Sequence, residues 1–321
     1  MKKKSLVSCV LALTIMAGVM TGCASKKEES LSDLKEINVT YVKAPLNVPS
    51  ILQKNDGLFE KEFNKDNIKV NFHEITSGPD QTNALAAGEI DFLHALGGTS
   101  ALIAASNGVE LKIINTYSRS PKGFMIITKD NNIKSAKDLI GKKVAGPKGT
   151  ILHQILIAAL KEEGYSISDV EFINMGIPDA TAALEEGSVD ASLIAGPSAL
   201  KAINSGSRVV TTGEGLVDGI IITAVSEEFA ERYPEVIERF IKVEKETLKY
   251  IDENFEEAME KVAKEVGLTL QETKELSNLY DFNLDITGSD IKSLEETQDF
   301  LIENGLQETK IDVKSLIYKE K

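Results

Sequence analysis

The chain has 321 residues, of which 42% are hydrophobic and 27% charged, an ordinary globular balance that excludes collagen-like, disordered and polytopic membrane classes. At about 100–200 residues per domain, this length suggests two domains. Its formal net charge of −14, from 36 Lys and Arg against 50 Asp and Glu, repels phosphate backbones, so no nucleic-acid partner is expected.

Lys2, Lys3 and Lys4 precede an apolar run, residues 6–19, which has signal-peptide length and is too short to span a bilayer. It ends in Met20-Thr21-Gly22-Cys23, which looks like the bacterial lipoprotein box, with Met where Leu is commoner. Cleavage before the cysteine would free an amino terminus and a thiol for acylation, for example by palmitate. Residues 1–22 are therefore expected to be a signal peptide, Cys23 the lipidation site, and 23–36 a polar tether. Removing the signal and its three lysines moves the formal charge from −14 to −17. Cys9 leaves with it, so no disulfide is expected in the mature chain.

From there, apolar β-rich runs alternate with helical patterns. A first series lies at 37–42, 68–75, 90–95 and 111–117, and a second at 124–128, 143–145, 170–173, 189–194 and 209–211, with a helix expected over 153–163. Such alternation predicts βαβ units and mainly parallel sheets, two of them here. Ala84-Leu85-Ala86-Ala87-Gly88-Glu89-Ile90-Asp91 and Ala183-Leu184-Glu185-Glu186-Gly187-Ser188-Val189-Asp190 repeat one form 99 residues apart, which favours two similar lobes. In each, Gly supplies a left-handed residue after a helix, a branched residue opens a strand, and Asp is placed to orient neighbouring backbone. From about Ser226 the pattern turns helical, over 227–257, 258–266, 270–279 and 289–304, with Pro234 as an early helix-start residue. Residues 226–321 hold 25 Asp and Glu against 13 Lys and Arg, so they carry most of the acidity as a solvated face and are expected to pack outside the first lobe.

The two echoed segments, with Gly57-Leu58-Phe59-Glu60-Lys61-Glu62, Asp138-Leu139-Ile140-Gly141-Lys142-Lys143-Val144-Ala145 and Gly149-Thr150-Ile151-Leu152-His153, occur in an order and spacing that give the chain a family likeness. It resembles the substrate-binding proteins of ABC importers for sulfonates, taurine, nitrate and thiamine precursors. The resemblance implies an α/β clamshell of the type II periplasmic-binding-protein class, with two strand crossovers as hinge and a ligand trapped between the lobes. Lobe 1 would comprise 37–120 plus 222–321, and lobe 2 121–221. It implies a monomer that performs no catalysis and needs no cofactor. Its partners would be a small-molecule ligand, an ABC permease and ATPase complex, and the extracytoplasmic face of the membrane through the lipid anchor.

In open α/β sheets ligands sit beyond the carboxyl ends of strands, so the loops there supply the candidate site. They offer Lys43, Leu46 and Asn47; Ser77 and Gly78; Gly97, Gly98 and Thr99; Ser118 and Arg119; Gly149, Thr150 and His153; Asp179; and Gly196. Gly97-Gly98-Thr99 and Gly149-Thr150 each precede an apolar helical run, and a helix start offers free N–H groups and partial positive charge to an anion. Small residues there would let a ligand approach the backbone, and Thr99 and Thr150 would add hydroxyl donors across the cleft or serve as simple caps. Arg119 suits bidentate recognition of a sulfonate or carboxylate, or else a salt bridge. His153 lies in the first turn after Gly149-Thr150.

Where relatives often carry aromatics this chain has Ala195-Gly196-Pro197, and it has no Trp, so an aromatic clamp is not expected. Ser198-Ala199-Leu200-Lys201 matches S-x-x-K without its usual companions, and His73, His94 and His153 lack metal-ligand spacing. The function expected is capture of a small organic anion for import. The alternatives are a receptor for a neutral or aromatic vitamin precursor, and a secreted enzyme or sensory module on the same fold.

Overall fold

The computed structural model describes residues 31–319, so the expected signal peptide, Cys23 and most of the tether lie outside the described residues. Strands β1 (Glu36–Tyr41), β2 (Lys69–Glu74), β3 (Phe92–Gly97), β4 (Leu111–Arg119), β5 (Phe124–Thr128), β6 (Lys143–Gly146), β7 (Glu171–Asn174), β8 (Ala191–Ala195), β9 (Arg208–Thr212) and β10 (Ile220–Ser226) form two 5-stranded sheets. Their orders are β2-β1-β3-β10-β4 and β7-β6-β8-β5-β9. In each sheet one strand, β10 or β5, runs antiparallel to both neighbours and the others run together. These two strands are the ones that have just crossed over: the chain leaves the first sheet after β4 to become β5, and leaves the second after β9 to become β10. A strand that enters from the crossing end must run against strands that finish there. The carboxyl ends of the co-directional strands of both sheets therefore meet at the crossings.

The expected strands form, shifted by a few residues at most. The exception is β10, which the pattern reading did not single out; Ile220 and Ile221 already pair with Arg119 and Gly97 of the first sheet, just ahead of the expected boundary. Leu31 and Leu34, expected in the tether, pack against the first lobe's core. The echoed segments do the same work in both lobes. Gly88 and Gly187 have φ of +72° and +74°. Asp91 accepts the Asn38 N–H at 2.7 Å and donates its own N–H to the Asn38 carbonyl at 2.9 Å; Asp190 brackets Lys143 at 2.8 and 2.9 Å. Each aspartate thus sets the register of its strand against the neighbouring one.

Phe240, on helix Pro234–Glu253, stacks on Phe59 and on Phe92 with centroids 4.2 Å apart in both pairs, closing one face of the first sheet. The other face packs Leu93, Leu96 and Leu102 against Leu294 and Leu301 of helix Gly288–Glu303. In the second lobe, helix Ile151–Glu162 buries Ile155, Leu156 and Leu160 against Ile126 and Leu193, and this cluster takes in Tyr117 and Ile221 from the first sheet. The core is thus continuous through the crossings.

The single helix expected over 227–257 is divided into Glu227–Arg232 and Pro234–Glu253, followed by Phe255–Val266. Proline disfavours helical backbone in the residue before it, and Tyr233 takes φ −131° and ψ 57°. The C-terminal helices cover the first lobe as expected and reach further: Lys201 donates to the Val266 carbonyl at 3.0 Å, and Leu279 packs against the second lobe's core.

Beneath the first sheet, Glu244 is only 2% exposed and accepts hydrogen bonds from Thr223 at 3.1 Å and from Asn115. His94 Nε2 stands 3.2 Å from its Oε1, within ion-pair distance. A buried carboxylate is tolerated only when its oxygens are partnered, and the partners become orphans when it is removed. Glu244→Leu is therefore expected to lower the unfolding free energy by about 3–5 kcal/mol in urea titration, far beyond a surface substitution.

Candidate functional site

Where the strand ends meet, a cavity of about 80 Å³ separates the lobes. The first lobe contributes Val42, Ala44 and Pro45 after β1, Thr76, Ser77, Gly78 and Gln81 after β2, and Ala95 and Gly97 of β3. The second contributes Pro147, Thr150, Ile151 and Leu152 after β6, and Gly176 and Ile177 after β7; Phe124 and Ile221 close it from the crossing strands. A larger groove of about 780 Å³ lies among the C-terminal helices, away from this convergence of strand ends.

Four of the lining residues are helix N-caps: Ser77 for Gly78–Ala86, Gly97 for Gly98–Ser106, Thr150 for Ile151–Glu162 and Gly176 for Ile177–Glu186. Two come from each lobe, and none is closed by its own side chain. Each helix start carries roughly half a positive charge and N–H groups without intrahelical acceptors. No lining residue bears a formal charge. The positive ends of these helices are thus the main charges that the cavity wall presents.

Of the residues expected from sequence, Ser77, Gly78, Gly97 and Thr150 line this cavity. The others do not. Lys43 pairs with Glu265 at 2.8 Å. Leu46 is buried in a core cluster with the C-terminal helices, and Asn47, also buried, donates to the Val42 carbonyl at 2.8 Å. Ser118 is fully buried in β4, and Asp179 is exposed in the first turn of Ile177–Glu186. Gly98 packs under Leu294. Thr99 is no cap: it lies inside its helix and donates to Gln154 Oε1 of the other lobe at 2.6 Å. Thr150 is a cap, but its hydroxyl donates to the Pro147 carbonyl at 2.8 Å.

Three glycines face the opposite lobe. A Cβ on Gly97 would stand 3.3 Å from Ile151 Cδ1, one on Gly149 3.6 Å from Pro79 Cγ, and one on Gly196 3.0 Å from the Pro45–Leu46 backbone, each across the cleft. At Gly97 and Gly196 the space is too tight for an unadjusted side chain, so glycine lets the lobes approach each other there. Gly149 and Gly196 also hold φ of +73° and +57°.

Arg119 is committed to structure. Nε and Nη2 each bond Asp290 at 2.6 Å, Nη1 donates to the Asn283 carbonyl at 3.0 Å, and Nη2 to the Asp285 carbonyl at 2.9 Å. Burial opposes ionisation of Asp290, but bonds from Arg119 and Thr287 outweigh it and hold the carboxyl down to about 2. With Nη1 also 3.5 Å from Asp281 Oδ2, the guanidinium ties the crossing at β4 to the C-terminal segment. Thr76, Gln81, Ala95, Ile151, Leu152 and Ile221 were not among the expected site residues. Ala95, with φ +70°, is the one whose conformation no sequence pattern announces.

His153 lies beside the cavity without lining it. Gly149 N–H points at its Nδ1 at 3.4 Å and its ring centroid is 4.7 Å from that of Phe172. Burial, helped by Lys148, lowers its pKa from 6.5 to about 4. The unfolded chain therefore binds a proton below pH 6.5 that the folded chain refuses until about pH 4, so stability is full above 6.5 and falls as pH drops through this window. His153→Gln is expected to lose about 2–3 kcal/mol less than the wild type between pH 7.5 and 4.5, as read from urea midpoints.

Comparison with known proteins bears on the family and the fold. The model of the family described as NMT1/THI5 like matches residues 48–258. A putative aliphatic sulfonates-binding protein of Bacillus subtilis (strain 168) is 30% identical over 320 residues, covering 98% of this chain and 94% of its own. The crystal structure of the periplasmic aliphatic sulphonate binding protein SsuA from Escherichia coli matches with TM-score 0.75 and 25% identity, covering 89% and 93% of the two chains. The alkanesulfonate-binding protein SsuA from Xanthomonas axonopodis pv. citri, bound to MOPS, shares the fold with TM-score 0.81 at 22% identity, over 88% and 98%. On the family match and the near full-length likeness to the Bacillus protein, the chain belongs to the NMT1/THI5-like family.

Proposed function

We propose that this protein is the extracytoplasmic solute receptor of an ABC importer, that it closes on a small sulfonate-like anion, and that it hands the anion to a membrane permease. The observation that carries this reading is the convergence of four uncapped helix N-termini, two from each lobe, on one cavity free of charged side chains. A sulfonate spreads one negative charge over three acceptor oxygens, which suits several N–H donors approaching from both sides. At about 80 Å³ against roughly 300–1,000 Å³ for drug-sized pockets, the cavity takes only a few heavy atoms. Val42, Ile151, Ile177 and Ile221 give it an apolar wall for a short aliphatic tail. The sulfonate-binding relatives support the same ligand class.

In this reading the lobes are 36–119 with 220–319, and 124–212, hinged at the two crossings, and the protein works as a monomer. Lining hydroxyls at Thr76, Ser77 and Thr150 have no His, Cys, Lys, Asp or Glu beside them in the cavity wall to activate them, which favours binding over catalysis. Lipid on Cys23 would hold the receptor at the membrane, since no helix among the described residues is long and apolar enough to cross one.

Methanesulfonate and dimethyl sulfone have nearly the same shape and differ in charge. Methanesulfonate at 100 times its dissociation constant is expected to add about 2.7 kcal/mol of stability and about 5 °C to the melting midpoint, whereas dimethyl sulfone adds nothing. Stabilisation by the sulfone alone would replace the anion reading with a neutral-solute one. Cys23→Ala is expected to abolish labelling by palmitate and to move the protein from the membrane fraction to the soluble one, as followed by immunoblot.

A further inference from the structure

Gln154 touches no cavity-lining side chain through its amide, yet it joins three elements. Its side chain is 5% exposed. Oε1 accepts from Thr99 Oγ1 at 2.6 Å, across the cleft, and Nε2 donates to Thr297 Oγ1 of the C-terminal helix at 3.4 Å. Alongside, Ser100 Oγ donates to the Gly149 carbonyl at 2.8 Å, again between lobes. Thr99 and Ser100 lie in the first turn of the helix capped by Gly97, and Gln154 in the second turn of the helix capped by Thr150. Two of the four helices whose starts face the cavity, those capped by Gly97 and Thr150, are therefore bonded to each other directly behind it.

We propose that Thr99, Gln154 and Thr297 form a latch that holds the lobes shut, and that Gln154 is its positioning residue, setting how long a captured ligand stays without contacting it. This rests on the reading of the cavity as the ligand site. A ligand that draws the Gly97 and Thr150 helix starts together brings Thr99 within reach of Gln154, and by linkage the formed latch raises the population able to grip ligand. Opening exposes all three groups to water, so the latch contributes the net value of neutral hydrogen bonds, enough for about tenfold in lifetime. The latch is formed in a minority of ligand-free molecules and in most ligand-bound ones, so it acts mainly on departure rather than arrival.

The test uses the mature protein with methanesulfonate as probe, in stopped-flow and calorimetric titrations of wild type, Gln154→Leu, Thr99→Val and Thr99→Ser. Gln154→Leu and Thr99→Val are expected to release ligand about tenfold faster with an association rate within twofold of wild type. The double substitution should be little worse than either single one, and Thr99→Ser, which keeps the hydroxyl, should behave as wild type. Small-angle scattering of the ligand-free proteins is expected to show a larger mean radius of gyration for Gln154→Leu. Unchanged release rates, slowed association, or a Thr99→Ser defect equal to that of Thr99→Val would overturn the latch. If the wild type fails to bind methanesulfonate or any related anion, the ligand reading falls. Scattering alone then decides the latch, and equal profiles overturn it.

Discussion

Both passages of the chain between the sheets run through a space with room for little more than backbone. Ser120 N–H donates to the Gly219 carbonyl at 3.2 Å and Gly213 N–H to the Pro121 carbonyl at 2.9 Å, so the two connections are hydrogen-bonded to each other's flanks. A Cβ on Gly213 would lie 2.7 Å from the Pro121 carbonyl oxygen, and one on Gly219, where φ is +62°, 2.8 Å from the Ser120 carbonyl carbon. This tight double crossing orders everything beyond it. It forces β5 and β10 to run against their neighbours, and it turns the remaining strand ends, with the helices that follow them, toward one gap.

The same crossing is clamped from outside. Arg119 is the last residue of β4, and its backbone exchanges N–H and carbonyl with Asp281 at 2.8 and 3.0 Å while its guanidinium holds Asp290 and the carbonyls between. The C-terminal segment is thus fixed at the pivot and extends from there to both lobes, through Val266 to Lys201 and through Thr297 to Gln154. In the proposed closure, a segment held in this way would move with the first lobe and make or break its bonds to the second.

How much of this was legible depends on distance along the chain. The echoed motifs could be read because helix end, glycine, strand and aspartate are contiguous, and Asp91 and Asp190 do orient neighbouring backbone as their position suggests. The helix starts at Gly97 and Thr150 were visible as small residues ahead of apolar helical runs. The partners of those residues were not. Arg119 could be read as a ligand contact or as a salt bridge, because its partner Asp290 is 171 residues away, and the glycines looked suited to a ligand because nothing local names Ile151 or Pro45 as the surface each must approach. Gln154 sits inside an apolar helix with no motif around it, and β10 is a short buried run that periodicity does not separate from its surroundings. Contacts made only when two lobes meet leave little local trace.

The absence of charged side chains from the cavity wall bears on how an acidic protein gathers an anion. At a distance an anion meets the carboxylates, many of them on the C-terminal helices, and is repelled; at the proposed site helix starts and neutral polar groups would act on it instead. Salt shortens the reach of the first field to about 8 Å at physiological ionic strength and hardly enters the second. On the proposed site, the ionic composition outside the cell would govern how often solute arrives, while the grip on what has arrived would belong mainly to backbone geometry and stay nearly constant from one medium to another.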